Sequence, residues 1–192
     1  MSIKFYNDNA KIFFNNTVNA NMENMYFIFE LFLPSTSGEI LDLGCGSGRD
    51  SKHFLSKGFD VIAIDLSPAL AQKATRYIGQ EVIVADMRNL DFKNKFIGIW
   101  ACASLLHLSE DDIYSTIKKC HIALKENGIF YASFKYGDKN YEKDERNFTC
   151  FTEEKFLNLI ENLNYKVVDT FVTEDVRPDR KNEKWFNVIL KK

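Results

Sequence analysis

The chain has 192 residues, of which 45% are hydrophobic and 27% charged. This is ordinary globular composition, long enough for one domain with a substantial core, and it excludes a disordered tail or a collagen-like chain. Lys and Arg number 25 against 27 Asp and Glu, a net charge of −2, so there is no global attraction to nucleic acid or to an anionic membrane.

The pattern alternates short β-rich runs with helical stretches. Residues 22–33 read as a helix stopped by Pro34, and Glu39–Leu43 as an apolar strand running into a Gly-rich turn. A helix follows over 49–57, with Gly58 suited to its C′ position. Residues 60–64 form the second strand. Ser67 then caps a helix that has Pro68 at its first position. Strands are expected at 81–85 and 96–101. Ser109 caps the next helix, whose Ile113, Ile117, Cys120 and Leu124 share one face and which is expected to end at Asn127-Gly128. A fifth strand at 129–134, a helix capped by Thr152 and two closing strands at 166–172 and 185–190 complete the chain. No helix separates the last two strands, only the loop 173–184, so they should pair antiparallel. Such alternation predicts an α/β fold with a mainly parallel sheet and right-handed crossovers. No repeat or linker divides the sequence.

The cysteines (Cys45, Cys102, Cys120 and Cys150) form no CxxC pair and have no histidine at zinc-ligand spacing, so neither a zinc site nor a disulfide framework is favoured. The start lacks a basic region followed by an apolar one, and the longest strongly apolar run, 97–108, is too short to span a bilayer. A cytoplasmic setting is the default expectation.

The informative segment is Ile40-Leu41-Asp42-Leu43-Gly44-Cys45-Gly46-Ser47-Gly48-Arg49. A Gly-rich turn after the first strand lets a ligand approach the backbone, and Asp65, 21 residues beyond Gly44, stands where an acid accepts hydrogen bonds from ribose hydroxyls. The glycines run G-x-G-x-G; Arg49 replaces the third glycine of the dinucleotide pattern, which argues against NAD.

These residues, with the second-strand acid in VIAIDLSPAL, resemble the class I S-adenosylmethionine (SAM)-dependent methyltransferases over roughly 36–135, and most of all the small bacterial tellurite-resistance and ubiquinone-type enzymes. The resemblance implies a single-domain, Rossmann-like α/β fold over 1–192. Its seven-stranded mixed sheet has the order 3-2-1-4-5-7-6, with the last strand antiparallel and helices on both faces. Residues 1–35 would be a helical lid, and 36–192 the cofactor-binding core, with pocket loops at 135–150 and 173–184. Gly44, Cys45, Gly46 and Gly48 would lie under the methionine part of SAM, with Asp42 orienting the turn. Asp65 would hold the ribose, beside Leu66 and Ser67, and Asp86 and Met87 would meet the adenine. Asp86 also reads as an ordinary turn acid, and Met87 equally as a packing residue.

In the family the segment 100–107, with Ala101 and Ser104, faces the sulfonium and the acceptor. It lacks the polar-Pro-Pro-aromatic motif of nucleic-acid amino methylation, the Pro-Cys of cytosine-C5 enzymes and the paired glutamates of arginine methylation. His107 stands as a general base for a weakly acidic acceptor or as a wall residue ahead of the Ser109 helix. Arg49, Lys135, Tyr136, Arg146, Phe148, Arg177 and Trp185 are the candidate acceptor contacts, by charge and by stacking. The N-terminal Tyr6 and Thr17 would belong to a lid that excludes water, or to an apolar cap. The implied activity is methyl transfer to a small molecule by in-line displacement, leaving S-adenosylhomocysteine (SAH). The alternatives are methylation of RNA or a protein on the same fold, and a non-catalytic SAM-binding module. No membrane partner is expected, nucleic acid is disfavoured, and the chain is expected to be a monomer or homodimer.

Overall fold

The computed structural model describes residues 2–192. Two short helices, α1 (Ser2–Asp8) and α2 (Ala10–Thr17), precede α3 (Glu23–Phe32). The core then runs β1 (Glu39–Leu43), α4 (Arg49–Ser56), β2 (Asp60–Asp65), α5 (Pro68–Ile78), β3 (Ile83–Val84), β4 (Phe96–Ala101), α6 (Glu110–Ala123) and β5 (Leu124–Tyr136). After it come β6 (Tyr141–Lys143), β7 (Arg146–Phe148), β8 (Cys150–Phe151), α7 (Glu153–Ile160), β9 (Lys166–Glu174) and β10 (Lys184–Lys191).

The main sheet has eight strands rather than the expected seven: seven follow the order β3-β2-β1-β4-β5-β10-β9, and the short β8 pairs with β5 off this path. Counting those seven along the chain, this is the expected 3-2-1-4-5-7-6. β1 pairs parallel with β2 and β4, and β4 parallel with β5. β10 runs antiparallel between β5 and β9, from Trp185 opposite Lys135 to Lys191 opposite Ile129. The predicted caps form: Ser67 Oγ accepts from Leu70 N–H at 3.2 Å, Ser109 Oγ from Asp112 N–H at 3.2 Å and Thr152 Oγ1 from Lys155 N–H at 3.3 Å.

Three local expectations change. α6 stops at Ala123 rather than at Asn127-Gly128, because Ala123 O and Ile122 O accept from Lys95 N–H and Asn94 N–H and the chain turns directly into β5. The register of β4 against β5 shifts between Phe96 and Gly98, and Asn127 takes φ 64° within the extra length. The third strand shrinks to Ile83–Val84, both exposed on the sheet edge. The connection 135–150 is an ordered β6–β7 hairpin, followed by β8 parallel to the end of β5.

Alternation along the strands divides the core. Leu41, Ile99, Phe130, Phe134 and Phe186 pack with Ile113 and Ile117 of α6 and Phe156 of α7 on one face. Ile40, Trp100, Tyr131 and Ile189 pack with Tyr26 and Phe29 of α3 and Phe54 of α4 on the other. Beyond α3, the second face continues along β5 and β10 as Ser133, Lys135, Asn187 and Trp185, and these form the floor of a cavity.

Phe29 is fully buried and touches Phe54 and Trp100 edge-on or tilted, at 5.6 and 5.2 Å between ring centroids. Phe29→Ala should cost about 3–5 kcal/mol of stability by urea unfolding. Phe27→Ala, on the same helix but 68% exposed, should stay within about 0.5 kcal/mol of the parent. Equal losses would contradict this assignment of faces.

Candidate functional site

A cavity of about 590 Å³ opens at the carboxyl ends of β1, β4 and β5. Ligands of open α/β sheets bind at this edge. The turn after β1 forms one wall, the 102–107 segment another, and α1, α2 and the β6–β7 hairpin the outer side.

The turn is held from two directions. Gly44 N–H and Cys45 N–H donate to Ile64 O of β2 at 2.8 and 3.0 Å. Gly44 has φ 83°, and a Cβ there would stand 2.4 Å from Ser104 Cβ, so only glycine lets the turn lie against the segment after β4. Gly48, at φ 77°, answers a different constraint: its Cβ would meet Ile78 Cγ2 at 2.9 Å, so it serves the packing of α4 on α5. Phe13 of α2 lies over Gly46.

Asp65 ends β2 with both carboxylate oxygens engaged. Gly46 N–H donates to Oδ2 and Ser67 N–H to Oδ1, each at 2.8 Å. Burial raises its pKa against the pull of these two donors. Ser67 Oγ donates in turn to Asn7 Oδ1 of α1 at 2.6 Å. Leu66 beside it is 39% exposed. Asp86 is occupied by its own turn: Arg88 donates to it from Nε at 3.0 Å and from NH2 at 2.6 Å, and holds its pKa down. Met87 Cε lies near Gly44, and Ser104 Oγ is buried without a hydrogen-bond partner among the described residues.

Asp42 is 1% exposed and lies under the turn, where it accepts from Ser51 Oγ at 2.5 Å. Burial and the neighbouring Asp50 charge raise its pKa. Asp50, absent from the sequence expectations, is the centre of the buried polar cluster. It accepts from Arg49 Nε at 2.6 Å and NH2 at 2.9 Å, from Tyr26 Oη at 2.5 Å and from Trp100 Nε1 at 2.9 Å. Burial opposes its charge, but Arg49 and these donors hold its pKa below the usual carboxylate range. Arg49 is thus committed to Asp50, with NH2 also 3.8 Å from Cys102 Sγ. Burial pushes the Cys102 thiol up to about 12, which leaves it a poor nucleophile.

The other cations expected at the acceptor are also paired. Lys135 bonds Glu183 and lies 3.8 Å from Asp175 Oδ2. Arg177 donates to Asp175 from N, Nε and NH2 at 3.0, 2.8 and 2.6 Å, and Trp185 Nε1 adds a fourth bond at 3.0 Å. Burial works against the Asp175 charge, yet the Arg177 bonds hold its pKa down to about 2. Lys135 Nζ stands 3.7 Å above the Trp185 ring, its cross-strand neighbour. Arg146 differs. It contacts Asp144 at 3.1 Å through NH2, lies 3.9 Å from the Phe5 ring centre, and its Nε is buried with no partner among the described residues. Phe148 lines the cavity beside it. Tyr136 does not: it follows Lys135 on β5, so alternation turns it to the other face, where it is 46% exposed.

His107 lines the cavity with its tautomer fixed. Nδ1 faces the Asn147 carbonyl at 2.8 Å and must therefore donate, so Nε2 accepts from Tyr6 Oη at 2.6 Å. Thr17 also lines the cavity, whereas Ala101 is fully buried at the end of β4. The polar residues Tyr131, Ser133 and Asn187 escaped the sequence reading. Their signal is the polar side chains spaced two apart in otherwise apolar strands.

A family model described as a methyltransferase domain matches residues 40–128. The carboxy-S-adenosyl-L-methionine synthase of Vibrio campbellii is 25% identical over 155 residues, 75% of this chain and 63% of its own. The ubiquinone biosynthesis O-methyltransferase of Histophilus somni is 28% identical over 51% of this chain and 45% of its own. The chain thus spans less than two thirds of the length of these relatives. The crystal structure of the Burkholderia thailandensis 1,6-didemethyltoxoflavin-N1-methyltransferase, with 1,6-didemethyltoxoflavin and S-adenosylhomocysteine bound, shares the fold. It superposes with a TM-score of 0.79 at 24% identity, over 99% of this chain and 84% of that one.

Burial lowers the His107 pKa to about 4, with Arg146 adding to the effect, against an ordinary value of 6.5. Between these values the unfolded chain binds the proton and the folded chain does not, so stability falls as pH drops from 6.5 toward 4. Urea unfolding of the parent and of His107→Gln should therefore diverge in this window. The parent should lose up to about 1.4 kcal/mol per pH unit more than the variant. Parallel pH profiles would contradict the buried neutral imidazole.

Proposed function

Because the chain belongs to the class I S-adenosylmethionine-dependent methyltransferase superfamily, we propose that it transfers a methyl group from SAM to a small-molecule acceptor, as one domain over 1–192. The observation that carries this reading is the placement of the cavity. It runs from residues 44–47 of the glycine turn to the floor of β5 and β10, under α1 and α2, with Asp65, Leu66, Asp86 and Met87 outside its lining. A cleft with that roof suits a small acceptor better than an RNA or protein surface.

The residues fit the cofactor. Asp65 supplies paired acceptors for ribose hydroxyls, Leu66 and Met87 offer apolar surface to a purine, and Asp86 offers a further acceptor beside them. The buried Ser104 Oγ, without a hydrogen-bond partner among the described residues, lies against the same turn. SAM supplies an electrophilic sulfonium methyl when bound. The protein's work is then to orient the acceptor and exclude water, and alignment alone lowers such a barrier by about 7–11 kcal/mol. Residues 1–35 act as the lid, with Asn7 on the cofactor side and Tyr6 on the acceptor side. Trp185 provides a stacking surface and Phe148 a side wall. Lys135 and Arg177 hold that floor through Asp175 and Glu183. The 1,6-didemethyltoxoflavin bound to the Burkholderia protein of the same fold is consistent with a small-molecule acceptor here.

Calorimetry with SAM, SAH and NAD tests the cofactor assignment. SAM and SAH should bind and NAD should not. Asp65→Ala removes charge-assisted bonds worth roughly 1.5–3 kcal/mol in all, a loss of about 10–150-fold in SAH affinity, with the fold retained. A folded variant with parental affinity, or binding of NAD in place of SAM, would overturn the assignment.

A further inference from the structure

Tyr6 and His107 come from distant parts of the chain, yet they meet through a 2.6 Å bond in the cavity wall. The Asn147 carbonyl fixes His107 so that its free lone pair receives the Tyr6 hydroxyl. The Tyr6 hydroxyl is thus hydrogen-bonded to the imidazole where both residues line the cavity. The Tyr6 ring itself packs edge-on to Phe13, at 5.1 Å, on the side of the glycine turn. Ring and hydroxyl thus face different halves of the site.

Resting on the methyltransferase reading above, we propose that Tyr6 is the catalytic residue that deprotonates the acceptor, with His107 as the positioning base behind it, and that the acceptor is consequently a hydroxyl or N–H compound. In this step the acceptor's O–H or N–H proton passes to the Tyr6 oxygen while the Tyr6 proton moves to His107 Nε2. The freed acceptor pair forms the new bond to the methyl carbon, and the sulfur leaves with the old bonding pair as SAH. A sulfide or tertiary amine has no proton to lose and would make the relay idle.

The electrostatics of the wall keep the pair neutral at rest, with Tyr6 protonated and His107 unprotonated. Burial raises the Tyr6 pKa, which keeps its proton in place at rest, while Arg146 from β7 and Arg177 from the β9–β10 connection pull it down and Asp65 from the end of β2 pushes it up. Arg146 stands closest, 5.9 Å from the Tyr6 ring centre, and stabilises negative charge that develops on the phenol oxygen. His107 stays uncharged down to about pH 4, so its Nε2 lone pair remains available to the Tyr6 hydroxyl through the neutral range, while burial and Arg146 make the imidazolium formed in the relay short-lived.

The full chain, SAM carrying a carbon-13 methyl group and a protein-free small-molecule extract of cells make the test. Proton–carbon correlation spectra distinguish a methyl group on oxygen, nitrogen, sulfur or carbon. The label should appear on oxygen or nitrogen. Tyr6→Phe should slow its appearance by about 10²–10⁴-fold near neutral pH, and SAH affinity should be unchanged because the ring remains. His107→Gln should behave similarly. Both defects should narrow as pH rises and the acceptor ionises by itself, whereas the parent rate should hold until pH approaches 4. Label on sulfur or carbon, parental turnover by Tyr6→Phe, a defect constant across pH or a loss of SAH affinity would each overturn the relay while leaving methyl transfer standing. No labelled product from the parent would instead overturn methyl transfer, and the relay with it.

Discussion

The buried Asp50 carboxylate is the constraint on which the rest of the site depends. A charge at 5% exposure is tolerated only when it is fully paired. Here a guanidinium from the adjacent residue of α4, a phenol from α3 and an indole from β4 converge on its two oxygens. Removing one partner of such a group typically costs about 3–5 kcal/mol, because the other is left uncompensated. The cluster therefore fixes where α3 crosses the sheet and where α4 begins. With it is fixed the backbone of the glycine turn that feeds α4. Asp42, beneath the same turn, shares the buried space with one guanidinium between two carboxyls. Asp50 lies nearest Arg49 and takes the charge, while Asp42 is pushed toward its neutral form.

The same logic governs the other end of the cavity. Lys135, Arg177, Asp175 and Glu183 form a paired network rather than a cluster of available cations. Its effect is positional: it clamps the start of β10 to the end of β5 and presents the Trp185 ring to the cavity. Electrostatic attraction of an anionic acceptor would be largely cancelled there by the acidic partners. Arg146 sits apart: its ion pair is with the exposed Asp144, it lies over the Phe5, Tyr6 and Phe148 rings, and its Nε has no hydrogen-bond partner among the described residues. The least compensated charge lining this pocket thus lies at the junction of α1 and the β6–β7 hairpin, where Tyr6 and His107 also meet.

The alternation of strands and helices, the caps and the placement of the glycine turn were legible in the sequence, because each is written in local signals: apolar runs, Ser and Thr at helix starts, glycines after a strand; the sheet order followed only from the family resemblance. The pairing of cations was not. Arg49 beside Asp50 is visible as a dipeptide, but only the fold brings Tyr26 and Trp100 to the same carboxylate. Lys135 and Glu183 are 48 residues apart and become neighbours through the antiparallel insertion of β10. The hairpin at 141–148 escaped notice because its strands are three residues each and mostly polar. Tyr136 was misplaced for want of the phase of β5: alternation decides which of two neighbours faces the cavity, and a one-residue choice inverts it. The Tyr6–His107 bond, spanning 101 residues, leaves no trace in any window of sequence.

If the Asp50 cluster sets the glycine turn in advance, the cofactor enters a site whose backbone is already formed and whose lid alone must move. Phe13 over Gly46 and Asn7 on Ser67 mark the contacts that such a movement would exchange. A crystal structure of the chain with SAH bound tests this most directly. It should show the ribose on Asp65, the Gly44–Gly48 backbone and the Arg49–Asp50 pair unchanged, and displacement confined to α1 and α2. A rearranged turn with the Asp50 cluster broken, or SAH bound away from Asp65, would contradict it.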